Sequence, residues 1–364
     1  MLRIQNTVLD CCIAKKDLVI QDQAAEIDDM SPLQKKPRNS GGSLRCAVST
    51  TYTGQKLTDL LAWLRSCGTK GLEDGRIDFL HSDGQCGGSL GGFAAKDFEV
   101  GELLFAIPLT CIISLKDTLN SRVTALVRDA AKFFRDTTLV TSELLIWLFM
   151  IQQLGDRNNH FSPFVESLDS ESPSPLSWPK DLASALIGTN MSTMTSSSSS
   201  VEKHSQFLDE VRQWALETNR DCSFLPPEKF NLTSLVWARG HYLARRYPGK
   251  FCFDSCSGDD GAESISAAEG DGREQGMMNL GALVPLLDIL NHNPESEWLT
   301  FKVIDGFLNV TCNHPVVKGC ELYSNYGSLS NEMLLYAYGF CLESNSDDAV
   351  TLQLMGADVR QGEL

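Results

Sequence analysis

Three stretches of this chain place hydrogen-bonding side chains where an apolar run ends or a glycine turns the backbone. The first, Leu283 to Pro294 (LVPLLDILNHNP), is nearly continuous apolar sequence that carries Asp288 and closes on Asn291 and His292. An amide and an imidazole there can hydrogen-bond the polar edge of a ligand, or can cap a turn and sit satisfied in a core. The second, Glu321 to Phe340 (ELYSNYGSLSNEMLLYAYGF), sets Tyr326 before Gly327 and Tyr338 before Gly339. Two tyrosyl hydroxyls beside glycines can face one pocket, or can belong to core aromatics whose hydroxyls reach solvent. The third, Gly84 to Gly92 (GQCGGSLGG), lets other groups approach its backbone closely and exposes amides. It matches neither GxGxxG opening a helix nor a GK[ST] ending, and a strand follows it, so nucleotide-phosphate binding is disfavoured. A plain glycine turn and a loop that packs its backbone on a flat or zwitterionic ligand remain.

Composition removes several functions. The 364 residues leave room for a catalytic core with insertions, and the shares of hydrophobic (42%) and charged (21%) residues are those of a globular chain. The longest apolar run, Leu144 to Ile151, is far short of the ~20 residues that cross a bilayer, and the N-terminus has no apolar secretory core. No membrane span is expected. A net charge of minus 16 argues against a broad cationic surface for nucleic acid and favours a basic peptide as partner. Nearly a third of that excess lies between Ser255 and Gly276, an acidic Gly/Ser-rich stretch too polar to bury. The twelve cysteines are scattered, and neither Cys11/Cys12 nor Cys252/Cys256 has a second pair at zinc spacing, so reduced thiols and no metal are expected. An intracellular location, cytoplasm or nucleus, follows; six acids in the first thirty residues disfavour a plastid or mitochondrial transit peptide.

The elements that must position these residues follow from periodicity. Residues 1 to 55 read as a poorly ordered leader, and Lys56 to Cys67 as an amphipathic helix through Leu57, Leu60, Leu61 and Leu64. Strands are expected at Ile77 to His81 and on both sides of the Val100-Gly101-Glu102 corner within Gly91 to Pro108. Thr141 to Leu154 is a helix with Ser142 as N-cap, Phe161 to Trp178 a proline-punctuated loop, and Asp181 to Ile187 a short helix ended by Gly188. The tract Ser192 to Ser200 reads as a flexible linker, with helices after it from Val201 to Asn219 and Leu232 to Arg246. Leu299 to Thr311 is a hairpin turning at Asp305-Gly306, Glu321 to Ser324 a strand, and Asn331 to Tyr338 a helix. Strands at both ends with helices between them predict an α+β fold whose sheet core is split by a helical insertion.

From Leu57 to Phe340 this combination resembles the SET-domain methyltransferases, specifically the Rubisco large-subunit lysine methyltransferase-like branch. The resemblance rests on the Ser89-Leu90-Gly91-Gly92 turn, the Asn291-His292 pair, Tyr326-Gly327 and Tyr338-Gly339-Phe340, in that order, with HFSPFVESL, PLSW and LIGTN between them. It implies a SET domain over 75–327, a helical insertion over about 120–250, an acidic loop over 255–276 and a short extension over 328–364. It further implies S-adenosylmethionine as cofactor and methyl transfer to an accessible lysine of a protein substrate. Ser89, Leu90, Gly91, Arg245, Asn291, His292 and Tyr326 would hold the cofactor, Arg245 through its carboxylate. Tyr326 would be catalytic, Tyr338 and Phe340 would wall the substrate channel, and Trp237 would pack. Family members normally continue into a long helical substrate-binding domain, whereas 24 residues follow Phe340 here, and Ser89 stands where a glycine is common. Those departures keep a protein-binding module without turnover in play, and the resemblance, through a branch member that methylates histidine, keeps transfer to another acceptor such as histidine.

Overall fold

The computed structural model describes residues 51–81, 90–196, 198–249, 281–296 and 299–349. The expected leader up to residue 50, Ser89, the acidic stretch 255–276 and the chain after 349 lie outside the described residues.

The first helix, α1 (Thr51–Ser66), begins within the expected leader and buries Leu60 and Leu64. Strands β1 (Ile77–His81), β2 (Leu90–Ala94) and β3 (Leu103–Pro108) follow. Helices α2 (Leu115–Thr118), α3 (Arg122–Phe134), α4 (Ser142–Gln153), α5 (Ser162–Ser167), α6 (Lys180–Ser184), α7 (Asn190–Ser196), α8 (Ser198–Glu217) and α9 (Leu232–Arg245) fill the middle of the chain. The chain then returns to strands β4 (Arg246–Pro248), β5 (Gly281–Leu283), β6 (Leu299–Ile304), β7 (Phe307–Cys312) and β8 (Glu321–Leu322), and ends in helix α10 (Asn331–Tyr338). The architecture is the expected α+β arrangement.

The sheets are small and antiparallel, in the orders β1-β2-β8, β3-β7-β6 and β4-β5. Strands β2 and β3 flank the Gly101 corner yet enter different sheets, and at the corner the Gly101 amide donates to the Cys312 carbonyl at the end of β7 (2.7 Å). Early strands therefore pair with late ones: Phe93 lies opposite Glu321, and Phe105 opposite Val310. The β6–β7 hairpin turns at Asp305 and Gly306, both at positive φ, as a tight two-residue turn requires.

Three local expectations are corrected. Ser192 to Ser200 is not a linker: α7 and α8 run through it. The cause is the continuing apolar stripe of α8, in which Val201, Leu208, Val211 and Ala215 are buried at helical spacing. Phe161 to Trp178 is not all loop, since Phe164 and Val165 are buried on α5, with Pro163 in the first turn where a missing N–H costs nothing. The N-cap of α4 is Thr141, whose hydroxyl accepts from the Leu144 amide at 3.1 Å, and Ser142 is the first helical residue.

The main core joins α1, the strands and helices α3, α4, α5, α8 and α9, while Met191 on α7 packs with Leu186 and Leu335 in a second, smaller cluster. Among the described residues no helix is long and apolar enough to cross a membrane, and no cluster of three metal-ligating side chains occurs.

Candidate active site

Strand β5 leads through Leu286, a non-glycine residue at φ 71°, into a turn at Leu287–Ile289 and then Asn291 and His292. That segment lies beside the chain leaving β8. Ser324 donates its amide to the Asn291 carbonyl at 2.9 Å, and Asn293 donates to the Ser324 carbonyl at 3.2 Å. Asn291, His292, Glu321 and Ser324 are all buried. The Asn291 amide nitrogen donates to the Glu321 carboxylate at 2.7 Å. Gly91 on β2 packs against this pair: a Cβ there would lie 2.5 Å from Glu321 Oε1 and 2.9 Å from Asn291 Nδ2. A side chain at this position would have to displace the bonded Glu321–Asn291 pair, which glycine leaves in place.

Aromatic rings continue from the same junction. The Tyr326 ring stacks on His292, with centroids 4.9 Å apart, and on Tyr338, with centroids 4.6 Å apart. Phe340 closes the group at 6.3 Å from His292 and 6.2 Å from Tyr338. Two hydrogen bonds fix Tyr326: its amide donates to His292 Nδ1 (3.2 Å) and its hydroxyl to the Leu290 carbonyl (2.8 Å). With that proton engaged, the lone pairs of the tyrosyl oxygen are what it offers a ligand. Gly339 at φ 78° ends α10 in the left-handed conformation and turns the chain so that Phe340 reaches the other rings.

Burial sets the protonation of the groups here. It lowers the pKa of His292, with a hydrogen bond to the Ser324 backbone opposing; a neutral ring suits an Nδ1 that accepts from the Tyr326 amide. Burial raises the Tyr338 hydroxyl and also that of Tyr247, which donates to the Leu287 carbonyl at 2.8 Å. None of these groups is poised as a strong base at neutral pH.

Arg245, at the end of α9, reaches the same segment. Its Nη1 lies 3.1 Å from the Asp288 carbonyl and 3.3 Å from Asp288 Oδ2, on a carboxylate side chain only 3% exposed. Burial raises the pKa of the Asp288 carboxyl, with Arg245 opposing but not cancelling it. Asp288 Oδ1 has no hydrogen-bond partner. The helix that carries Arg245 is tied to the segment after α5, where Trp237 Nε1 donates to the Asp169 carbonyl (2.9 Å) and His241 Nε2 lies 3.0 Å from it.

The structure thus brings together Gly91, Asn291, His292, Tyr326, Tyr338 and Phe340, and places Arg245 on the adjoining Asp288; Leu90 precedes Gly91 on β2 opposite His81, and Ser89 lies outside the described residues. Sequence reasoning passed over Glu321, Ser324 and Tyr247. A charged residue inside the inward run Glu321-Leu322 was the available signal, since a carboxylate is buried only with a partner.

No family model matches the chain. It is similar to the ribosomal lysine N-methyltransferase set10 of Schizosaccharomyces pombe, 26% identical over 284 residues, covering 76% of this chain and 45% of that protein. It is also similar to the actin-histidine N-methyltransferase of Homo sapiens, 21% identical over 319 residues, covering 84% of this chain and 46% of that protein. The chain spans about half the length of these relatives. Among solved structures, the SET domain of LSMT bound to MeLysine and AdoHcy superposes with a TM-score of 0.58 at 18% identity, covering 79% of this chain and 57% of that one. Rubisco LSMT bound to AdoMet gives a TM-score of 0.56 at 17% identity, over 79% of this chain and 57% of that one. The fold is the SET-domain fold in its Rubisco LSMT-like form.

Proposed function

We propose that this chain transfers a methyl group from S-adenosylmethionine to a lysine side chain of a protein substrate. The observation that carries the reading is the convergence of Gly91, the Asn291–Glu321 pair and the His292–Tyr326–Tyr338 stack, drawn from three distant parts of the sequence. The group set suits that cofactor: a guanidinium for its carboxylate, amide and backbone groups for its amine-bearing parts, and aromatic faces beside a cation. When bound, the cofactor supplies an electrophilic methyl; the acceptor nitrogen bonds to that carbon while the carbon–sulfur electron pair returns to sulfur.

The chain's own residues must deliver a neutral amine. Lysine titrates near 10.4, so holding it uncharged at pH 7 costs about 4.6 kcal/mol in water. A passage walled by Tyr338 and Phe340 disfavours the ammonium by desolvation, and the proton leaves to solvent before the amine enters. Tyr326 orients the nitrogen through its hydroxyl oxygen, which the bond to Leu290 holds in place. Arg245 meets the cofactor carboxylate with Nη2, exchanging the exposed Asp169 carboxylate 3.9 Å away, while Asp288 holds Nη1. No step calls for a metal.

Similarity to the actin-histidine enzyme over 84% of the chain favours histidine as the second reading. A single experiment separates the readings: incubate the protein with methyl-labelled cofactor and cell extract, then locate the label by mass spectrometry. Label on lysine supports the proposal, label on histidine replaces the acceptor, and cofactor binding without transfer to any protein supports a module without turnover.

A further inference from the structure

We infer that Asp169 is a built-in competitor for the cofactor carboxylate: its side chain lies on the Nη2 edge of Arg245 and must leave when the amino-acid tail of the cofactor binds. The inference rests on the cofactor reading above and deepens it, by naming a residue that regulates occupancy of that site. The Arg245 guanidinium is divided among three neighbours. Its Nη1 lies 3.1 Å from the Asp288 carbonyl and 3.3 Å from Asp288 Oδ2, and its Nε lies 3.5 Å from His241 Nδ1. Nη2 meets Asp169 Oδ2 at 3.9 Å, within ion-pair range and beyond hydrogen-bond reach. Of the three contacts, that one is the most easily exchanged.

The two carboxylates paired with Arg245 differ in what holds them. The Asp288 side chain is 3% exposed and the Asp169 side chain 81%. Releasing Nη1 would leave a buried carboxylate without its cation, whereas releasing Nη2 returns an exposed one to water at little cost. The backbone beneath Asp169 is nonetheless fixed. Trp237 Nε1 donates to the Asp169 carbonyl at 2.9 Å, and His241 Nε2 lies 3.0 Å from the same oxygen. Both contacts use the main chain, so the side chain can swing or be replaced without moving α9. A carboxylate on a fixed tether has a high local concentration at Arg245 even though each pairing is weak. The sign of the consequence is distinctive: removing a ligand contact weakens binding, and removing a competitor strengthens it.

Calorimetric titration of Asp169→Asn, which keeps the side-chain shape and deletes the charge, tests this. At low salt the variant should bind S-adenosylmethionine about threefold tighter than wild type, since an exposed ion pair shifts an equilibrium by about two- to fivefold. S-adenosylhomocysteine, which also carries the carboxylate, should gain as well. Decarboxylated S-adenosylmethionine, which keeps the sulfonium and the amine, should show no gain. Raising salt from about 20 to about 500 mM should shrink the gain, because an exposed pair is screened. Unchanged affinity for S-adenosylmethionine overturns the inference, and so does an equal gain with the decarboxylated ligand. Weaker binding of S-adenosylmethionine by Asp169→Asn also overturns it, by making Asp169 a contact of the cofactor amine. Wild-type protein that binds neither S-adenosylmethionine nor S-adenosylhomocysteine removes the cofactor reading and the inference with it. That outcome is distinct from a wild type that binds and a variant that binds no tighter.

Discussion

The helical middle of the chain and the strand-and-turn half that follows it bury their side chains by different means. Helices α3, α4, α5, α8 and α9 fill their interior chiefly with aliphatic and aromatic groups such as Val127, Ile146, Phe164, Leu208 and Val211, each fully buried, with polar groups such as Thr124, Gln153, His204 and His241 set among them. The site half buries Asn291, His292, Glu321 and Ser324 beside its leucines, and satisfies them through hydrogen bonds between segments that are far apart in sequence. The first region is held by area removed from water, which tolerates local change as long as volume is kept. The second depends on particular partners, so small chemical changes there should alter function more than stability. One region supplies the frame and the other the selectivity.

The largest effect expected in the frame is on stability. Phe164→Ala should cost about 3–5 kcal/mol of unfolding free energy, measured by urea denaturation, because it opens a cavity in a closed core. Cofactor affinity of the folded fraction should stay unchanged; a parallel loss of affinity would break the distinction between the two regions. In the site half the order reverses. Tyr326→Phe should lower turnover by about a hundredfold, the scale of one preorganised polar group at a reacting centre, with the thermal midpoint little changed. Turnover at the wild-type rate would show that the hydroxyl plays no part.

A pH titration probes the joint between the regions. His241, buried on α9 against the Asp169 carbonyl, has its pKa lowered to about 3, first by burial and then by Arg245. The unfolded ring takes a proton near 6.5 while the folded one resists it, so stability falls as pH drops from 6.5 toward 3 and is unaffected above that window. Between pH 7.5 and 5.0 the loss from this residue should be about 2 kcal/mol, seen as the difference in urea unfolding between wild type and His241→Asn. Equal acid sensitivity in the two proteins would refute it. The smallest expected effect is Asn291→Ala, about tenfold weaker cofactor binding by calorimetry with the fold intact.

The two regions also differed in how far the sequence could be read. The hairpin at Asp305-Gly306, helix α10 and the junction of Asn291 with Tyr326 were legible, because glycine turns and abrupt ends of apolar runs are local signals. The serine tract was misread because its composition favours a linker, while the stripe that makes it helical begins only at Val201 and is completed by tertiary burial. Glu321 was missed for a related reason. Its partner lies thirty residues away, and only the β2–β8 pairing brings Gly91 over their bond.

The most direct test of the central claim is equilibrium binding of S-adenosylmethionine to the wild-type chain. The account predicts one equivalent bound, with affinity falling in Asn291→Ala and Arg245→Ala. A wild-type protein that binds none, while remaining folded by circular dichroism, would contradict the assignment of this junction as a methyl-donor site.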